Sequence, residues 1–178
     1  MRHDVVKHSD QRVGIFVDTQ NMYHSARNLH GGRLNFKAVL EAALAGRKLI
    51  HAIAYVIAAE AQEEESFFDA LNKSGFAVKM KDIQTFAGGA KKADWDVGLA
   101  IDAVKFADKL DVVVLMSGDG DFVPLVHYLQ ENKGCHVEVV SFRKTTSQKL
   151  VEVADDFTDL GENTSQFIRV AGKIGKRN

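Results

Sequence analysis

Val112-Val113-Val114-Leu115-Met116-Ser117-Gly118-Asp119-Gly120-Asp121-Phe122 reads as a strand that runs straight into two carboxylates. Five consecutive apolar residues bounded by small, turn-forming ones mark a strand covered on both faces, as in a parallel sheet. The glycines at 118 and 120 are expected to let the chain turn tightly, so that Asp119 and Asp121 point into the crevice beyond the sheet while Phe122 and Leu125 return to the core. The first apolar run, Val13-Gly14-Ile15-Phe16-Val17, ends in the same way at Asp18. In an open parallel sheet, ligands bind beyond the carboxyl ends of the strands, where strand order reverses. With these two strands as neighbours there, their aspartates converge, and Asp96, opening an intervening helix, joins them. Crowded carboxylates repel one another, and shared protons or hard cations such as Mg²⁺ or Mn²⁺ relieve the repulsion. The leading expectation is a metal-dependent phosphate chemistry.

Each acid also has a purely architectural reading. Asp121 can cap the helix that follows, Asp119 can close an Asx turn, and Asp18 can cap the helix after the first strand. Asn21, one turn beyond Asp18, can orient its carboxylate or touch a phosphate. In Ala93-Asp94-Trp95-Asp96-Val97-Gly98 the helix dipole accounts for an acid in the first turn, most readily for Asp94. Asp96 is the better partner for a site beyond the helix's amino end, whereas Asp102 is expected to line its side or face solvent. Trp95 reads either as a platform for a base or as an anchor packing its loop. Lys91 and Lys92, beside Gly88-Gly89, and Arg143 and Lys144, after the last long strand, supply rim charge of the kind that positions a phosphate backbone. His24, His51, His127 and His136 have no fixed partner in the sequence and receive no catalytic role.

Outward from these motifs, apolar runs alternate with helix-period segments, the pattern of βαβ units. Strands are expected at Val13–Asp18, Leu49–Ile57, Val112–Met116 and His136–Phe142, with a weaker edge strand at Phe76–Ile83. Helices are expected at Asn21–Leu29, Phe36–Leu44, Glu63–Lys73, Asp94–Lys109, Asp121–Glu131 and Ser147–Ala154, the fourth turning Val97, Ile101, Val104 and Leu110 inward. Asp155–Leu160 reads as a closing segment. The organisation expected is a tail over residues 1–11, one domain over 12–160, and a flexible basic tail over 161–178.

The totals are consistent with this. At 178 residues and 46% hydrophobic content the chain suits one core. Lys+Arg 23 against Asp+Glu 24 leaves no global basic field, so any nucleic-acid surface must be local. Cys135, the one cysteine, excludes an internal disulfide and reads as a small core residue in a reducing compartment. Scattered histidines without a paired Cys or His motif argue against zinc. The charged amino terminus lacks the apolar stretch of a signal peptide, and no run is long enough to span a membrane. A soluble cytoplasmic protein is the expectation.

Taken in order, Ile15-Phe16-Val17-Asp18 with Asn21, Lys92 and Trp95-Asp96-Val97 with Asp102, and Leu115-Met116-Ser117-Gly118-Asp119-Gly120-Asp121-Phe122 with Pro124-Leu125 resemble the NYN domain, in its LabA-like bacterial branch of the PIN-like nuclease superfamily. The resemblance runs over about Arg12 to Leu160 and is most specific at Ser-Gly-Asp-x-Asp-Phe. It implies a three-layer α/β/α sandwich around a five-stranded parallel sheet ordered 3-2-1-4-5. It implies further that Asp18, Asp96, Asp119 and Asp121 bind Mg²⁺ or Mn²⁺ for phosphodiester hydrolysis, with Asn21 and Ser117 in supporting positions. Two departures stand out: Gln20 takes the place of a small residue, and Asp94 offers an alternative to Asp96.

The expected activity is a metal-dependent ribonuclease acting on single-stranded RNA, with Asn21, Ser117 and Lys92 holding the phosphate. The rival is a non-catalytic RNA-binding or regulatory module of the same fold. A small-molecule phosphatase is the third class. Against it, Asp18-Thr19-Gln20 lacks the second aspartate that aspartyl-phosphate enzymes typically use as acid, and a Walker loop is absent. The sequence leaves the oligomeric state open, a homodimer among the options.

Overall fold

The computed structural model describes residues 6–57, 65–82, 84–85, 91–92 and 94–170, with the backbone alone described for 65–67, 84–85 and 91–92. In chain order the main elements are β1 (Arg12–Asp18), α1 (Thr19–His30), α2 (Phe36–Leu44), β2 (Lys48–Ile57), α3 (Glu65–Lys73) and β3 (Ala77–Lys81). They continue with α4 (Asp96–Ala107), β4 (Val112–Met116), α5 (Val123–Lys133), β5 (His136–Ser141), α6 (Gln148–Val153) and β6 (Asp156–Asp159). The sheet order is β3-β2-β1-β4-β5-β6, and every neighbouring pair is parallel.

The expected order is therefore present, with one strand more than expected. Asp156–Asp159 extends the sheet beyond β5. Its sequence, Asp-Phe-Thr-Asp, carries a single apolar side chain, because an edge strand half exposed to water has little to bury. Asp155 guides it in: Val137 N donates to its carboxylate at 2.8 Å, and its own N–H donates to Val137 O at 2.9 Å.

Both faces of the sheet are covered, as the uninterrupted apolar runs require. On one face Ile15, Val17, Val114 and Met116 pack with Met22 and Ala26 of α1, Val39 of α2 and Leu71 of α3. On the other Phe16, Tyr55, Val113 and Leu115 pack with Leu99 and Ala103 of α4, Leu125 and Leu129 of α5 and Leu150 of α6. Alternation along each strand sends side chains to opposite layers, and each large one contributes about 1.5–3 kcal/mol on burial. Cys135 is buried and unbridged.

The expected face of α4 is corrected. Val97 and Ile101 are exposed, at 69% and 60%, while Leu99, Ala103, Ala107 and Asp102 turn inward. The reason is a polar contact from outside the helix: Asp102 accepts hydrogen bonds from Tyr55 Oη at 2.7 Å and Lys79 Nζ, which satisfies a carboxylate that hydropathy alone would put in water. A second correction concerns the carboxyl-terminal segment. Residues 164–169, expected in the flexible tail, form a helical turn and a strand, and Phe167 and Ile168 are buried. Ile168 and Arg169 pair antiparallel with Leu34 and Arg33 after α1, so apolar burial holds down a segment that its composition marks as tail. Residues 171–178, the basic end, and the Gly-rich stretch 86–90 lie outside the described residues. No described helix is long and apolar enough to cross a membrane.

Candidate acidic site

Strands β1 and β4 are direct neighbours, with Val17 level with Met116, so the chain leaves both at the same end of the sheet. Asp18 caps α1: its Oδ1 accepts from Asn21 N at 3.2 Å, and its Oδ2 accepts from Ser117 Oγ at 3.0 Å. Ser117 Oγ also accepts from Asp119 N at 3.2 Å, and Asn21 Oδ1 accepts from Gly118 N at 2.9 Å. Ser117 and Asn21 thus stitch the two strand ends together. Asp119 Oδ1 accepts from Asp121 N at 2.9 Å, which closes the Asx turn foreseen for it and starts the 3-10 turn Gly120–Phe122.

The glycines of this loop serve a purpose different from the one expected. Neither Gly118 nor Gly120 has a positive φ. A Cβ on Gly118 would lie 2.7 Å from the carbonyl oxygen of Thr145, and Ser147 N donates to Gly118 O at 2.9 Å. The residue is small because the 143–147 segment passes directly against it.

Asp96 enters from the first turn of α4. One carboxylate oxygen from each of Asp96, Asp119 and Asp121 can be chosen so that all lie within 4.8 Å of one another. Burial pushes the Asp96 carboxyl up from 3.8 to about 6, and repulsion from Asp18, Asp119, Asp94 and Asp121 adds to the shift. Asp18 is therefore an electrostatic neighbour of the cluster even though its own oxygens are engaged by Asn21 and Ser117. Between the two acids weighed at this helix, Asp96 supplies the clustered oxygen, while Asp94 lines the same cleft.

The cleft holds about 350 Å³ and is walled by α1 on one side and by Tyr55, Asp94, Trp95 and Asp96 on the other. Trp95 is an anchor, the second of the two readings made of it. Its Nε1 donates to Val56 O at 2.7 Å and its ring lies 5.3 Å from that of Tyr55, yet it also lines the cleft. Gly98 makes room for it, since a Cβ there would meet the indole at 2.6 Å.

Other expected site residues fall elsewhere. Arg143 lines a separate depression with Asp159 and Glu162, its backbone N–H donating to Asp159 at 3.0 Å and its guanidinium donating to Gln148. Lys144 is exposed on the same turn, and Thr145 is the residue of this segment that lines the acidic cleft. The backbone at Lys91 and Lys92 pairs with Gln84 and Thr85, and their side chains lie outside the described residues. Gln20, noted above only as a departure from the family pattern, and His24, given no role there, line the cleft with Asn28 along one row of α1; sequence reasoning passed over Asn28 and Lys81, whose Nζ donates to Asp94 O at 3.0 Å and lies 5.6 Å from the Trp95 ring centre. The four-residue spacing of 20, 24 and 28, counted from the Asp18 cap, was the available signal.

The sequence pattern that defines the NYN domain matches residues 12–161, most of the chain. The chain belongs to the NYN domain family. It is 29% identical over 160 residues to the low amplitude and bright protein LabA of Synechococcus elongatus, covering 85% of this chain and 84% of that one. A crystal structure of a protein of unknown function from Vibrio parahaemolyticus superposes on this NYN chain with a TM-score of 0.82 and 31% identity, covering 93% of this chain and 100% of the other. The resemblance read from the motifs and the three-layer fold it implied both stand, and this NYN domain places its acidic cluster at the carboxyl ends of the central strands.

Proposed function

We propose that this NYN domain is a metal-dependent ribonuclease that hydrolyses phosphodiesters of single-stranded RNA. The observation that carries the reading is the convergence of Asp96, Asp119 and Asp121 to within 4.8 Å, with Asp18 close enough to raise the Asp96 carboxyl. The donor set is entirely carboxylate oxygen, which suits Mg²⁺ or Mn²⁺ and not zinc. When bound, such an ion supplies the charge that activates a water and stabilises the leaving oxygen.

The chain's own residues have separable roles in this reading. Asp96, Asp119 and Asp121 hold the cation. Asp18, whose two oxygens accept from Asn21 N and Ser117 Oγ, fixes the loop and adds negative field. Asp96 or Asp121 accepts the proton of the attacking water. Asn21 and Lys92 steady the phosphate, Ser117 acts through Asp18 and the Asp119 backbone to which it is bonded, and Trp95, backed by Tyr55, forms the apolar side against which a base can rest.

One observation favours a second reading, a non-catalytic RNA-binding module. Asp18 and Asp119 each accept a backbone N–H in a cap or turn, which gives both acids an architectural use. Incubating the purified protein with labelled single-stranded RNA in Mn²⁺, Mg²⁺ or chelator, beside Asp119→Asn, separates the two. Cleavage that needs the metal and Asp119 supports the nuclease. Binding without cleavage under every condition supports the module.

A further inference from the structure

Helix α1 has a second working side. Its 20, 24 and 28 row faces the acidic cleft, while Tyr23 and Arg27, on the adjacent row, line a separate groove of about 530 Å³ with Gly31, Gly32, Arg33 and Arg169. Three arginines line this groove, and no described residue lining it is acidic. Arg33 and Arg169 are direct cross-strand partners in the short antiparallel pair. The Arg169 guanidinium also donates to Asn35 Oδ1 at 3.1 Å, which holds its head at the groove. Beyond this pair a second hollow continues the same character, with Lys37 and Lys73 added to Arg33 and Arg169 and again no described acidic residue in its lining.

The chain as a whole is close to neutral, so a surface for phosphate must be local. Arg27 is held in place, its guanidinium donating to Tyr23 Oη at 2.9 Å. Gly32 lets the strand pair close against α1's end, since a Cβ there would meet Ile168 at 2.5 Å and the carbonyl oxygen of Arg169 at 3.0 Å. The Tyr23 and His24 rings touch edge to face at 5.5 Å across the ridge between groove and cleft. From His24 to Arg27 the helix rises only about 4.5 Å.

We infer that the Arg27–Arg33–Arg169 groove binds the phosphate backbone of the RNA strand flanking the acidic cleft, with Tyr23 as a stacking platform where the strand crosses α1. Guanidiniums match phosphate oxygens in geometry and charge, and an aromatic face accepts any base, so the groove adds affinity without sequence preference. The inference rests on the RNA reading above.

The test uses the full chain, an Arg27→Glu/Arg169→Glu variant and the milder Arg33→Gln. Each is titrated in chelator with a labelled single-stranded RNA of about 12 nucleotides, a length such grooves span, at several salt concentrations. The expected result is that charge reversal weakens binding by about tenfold or more and flattens the salt dependence by about 0.7 in slope for each phosphate that is no longer neutralised. Arg33→Gln moves both in the same direction by less, and the rise in melting temperature given by Mn²⁺ is unchanged in both variants. Wild-type binding with an unchanged affinity and slope in the variants overturns the groove and leaves the acidic-site reading standing. A wild type that binds no RNA overturns both. Loss of the Mn²⁺ response in the variants also overturns the groove, because the damage then reaches the cleft.

Discussion

Asn21 Oδ1 accepts a hydrogen bond of 2.9 Å from the backbone N–H of Gly118, joining the first turn of α1 to the loop after β4 across ninety-seven residues of chain. The amide thereby fixes the spacing of Asp18 and Asp119. Asn21→Ala leaves that N–H without its partner, a loss that costs about 1–3 kcal/mol where water cannot replace it. A lower melting temperature together with weaker stabilisation by Mn²⁺ is expected. An unchanged metal response would mean that the loop holds its shape without this bond.

Asp119 separates architecture from chemistry because its two properties reside in different features of the side chain. Asparagine keeps the Oδ1 that accepts from Asp121 N but removes a charge from the cluster. Asp119→Asn is therefore expected to leave the metal-free protein as stable as wild type or more so, and to abolish stabilisation by Mn²⁺. Asp119→Ala loses the turn as well and should melt lower by the equivalent of about 0.5–2 kcal/mol. Thermal melts of both variants in chelator and in Mn²⁺ check this. Equal destabilisation by the two substitutions in chelator would make the hydrogen bond irrelevant and the charge structural.

The parts of the fold legible in the sequence are those buried on both sides. Val13–Val17 and Val112–Met116 could be placed, and their terminal aspartates brought together, because unbroken apolar runs have few other homes. The strand Asp156–Asp159 was illegible because an edge needs one partner and little apolar surface. The inward face of α4 was misread because Asp102 is satisfied by Tyr55 and Lys79, residues far away in sequence whose arrival no local period announces. Gly118 was expected for turning and is instead needed for the approach of Thr145, a tertiary contact. Asp96 was preferred to Asp94 from its place on the helix alone, and it is Asp96 whose oxygen joins the cluster.

At the opposite end of the sheet, Arg47 and Glu138 form a buried ion pair, with Nη1 and Nη2 donating to the carboxylate at 2.7 and 2.9 Å. Arg47 also donates to Leu44 O and Ala43 O, which ties the carboxyl end of α2 to β5. Removing Arg47 leaves the buried Glu138 carboxylate with Lys7 Nζ, 3.4 Å away, in place of a two-pronged guanidinium. Arg47→Met is expected to cost up to about 3–5 kcal/mol, less whatever Lys7 offsets, read from denaturant unfolding, and to leave the melting-temperature rise per added Mn²⁺ intact. Loss of both together would show that the two ends of the sheet are coupled.

The acidic cluster should also give the metal-free protein an unusual dependence on pH. An Asp96 carboxyl raised from 3.8 to about 6 holds a proton in the folded state that the unfolded chain releases over that interval. The folded state binds more protons there, so this group's contribution to stability is fully present below 3.8 and is lost as pH rises through about 6. Asp111, held down to about 2 by the Arg12 guanidinium beside it, works in the opposite sense, its contribution being lost as pH falls from 3.8 toward 2. The two windows do not overlap, and Asp96→Asn removes the first alone. A divalent cation reverses the sign, because it binds the ionised carboxylate and competes with the proton. Mn²⁺ should accordingly stabilise the wild type strongly at pH 7.5 and weakly at about pH 5, with the change centred near 6. Melts across pH in chelator and in Mn²⁺, for wild type and Asp96→Asn, test the pair of statements. A wild type whose metal-free stability is flat between pH 4 and 6 relative to Asp96→Asn would remove the carboxylate crowding on which the candidate site rests.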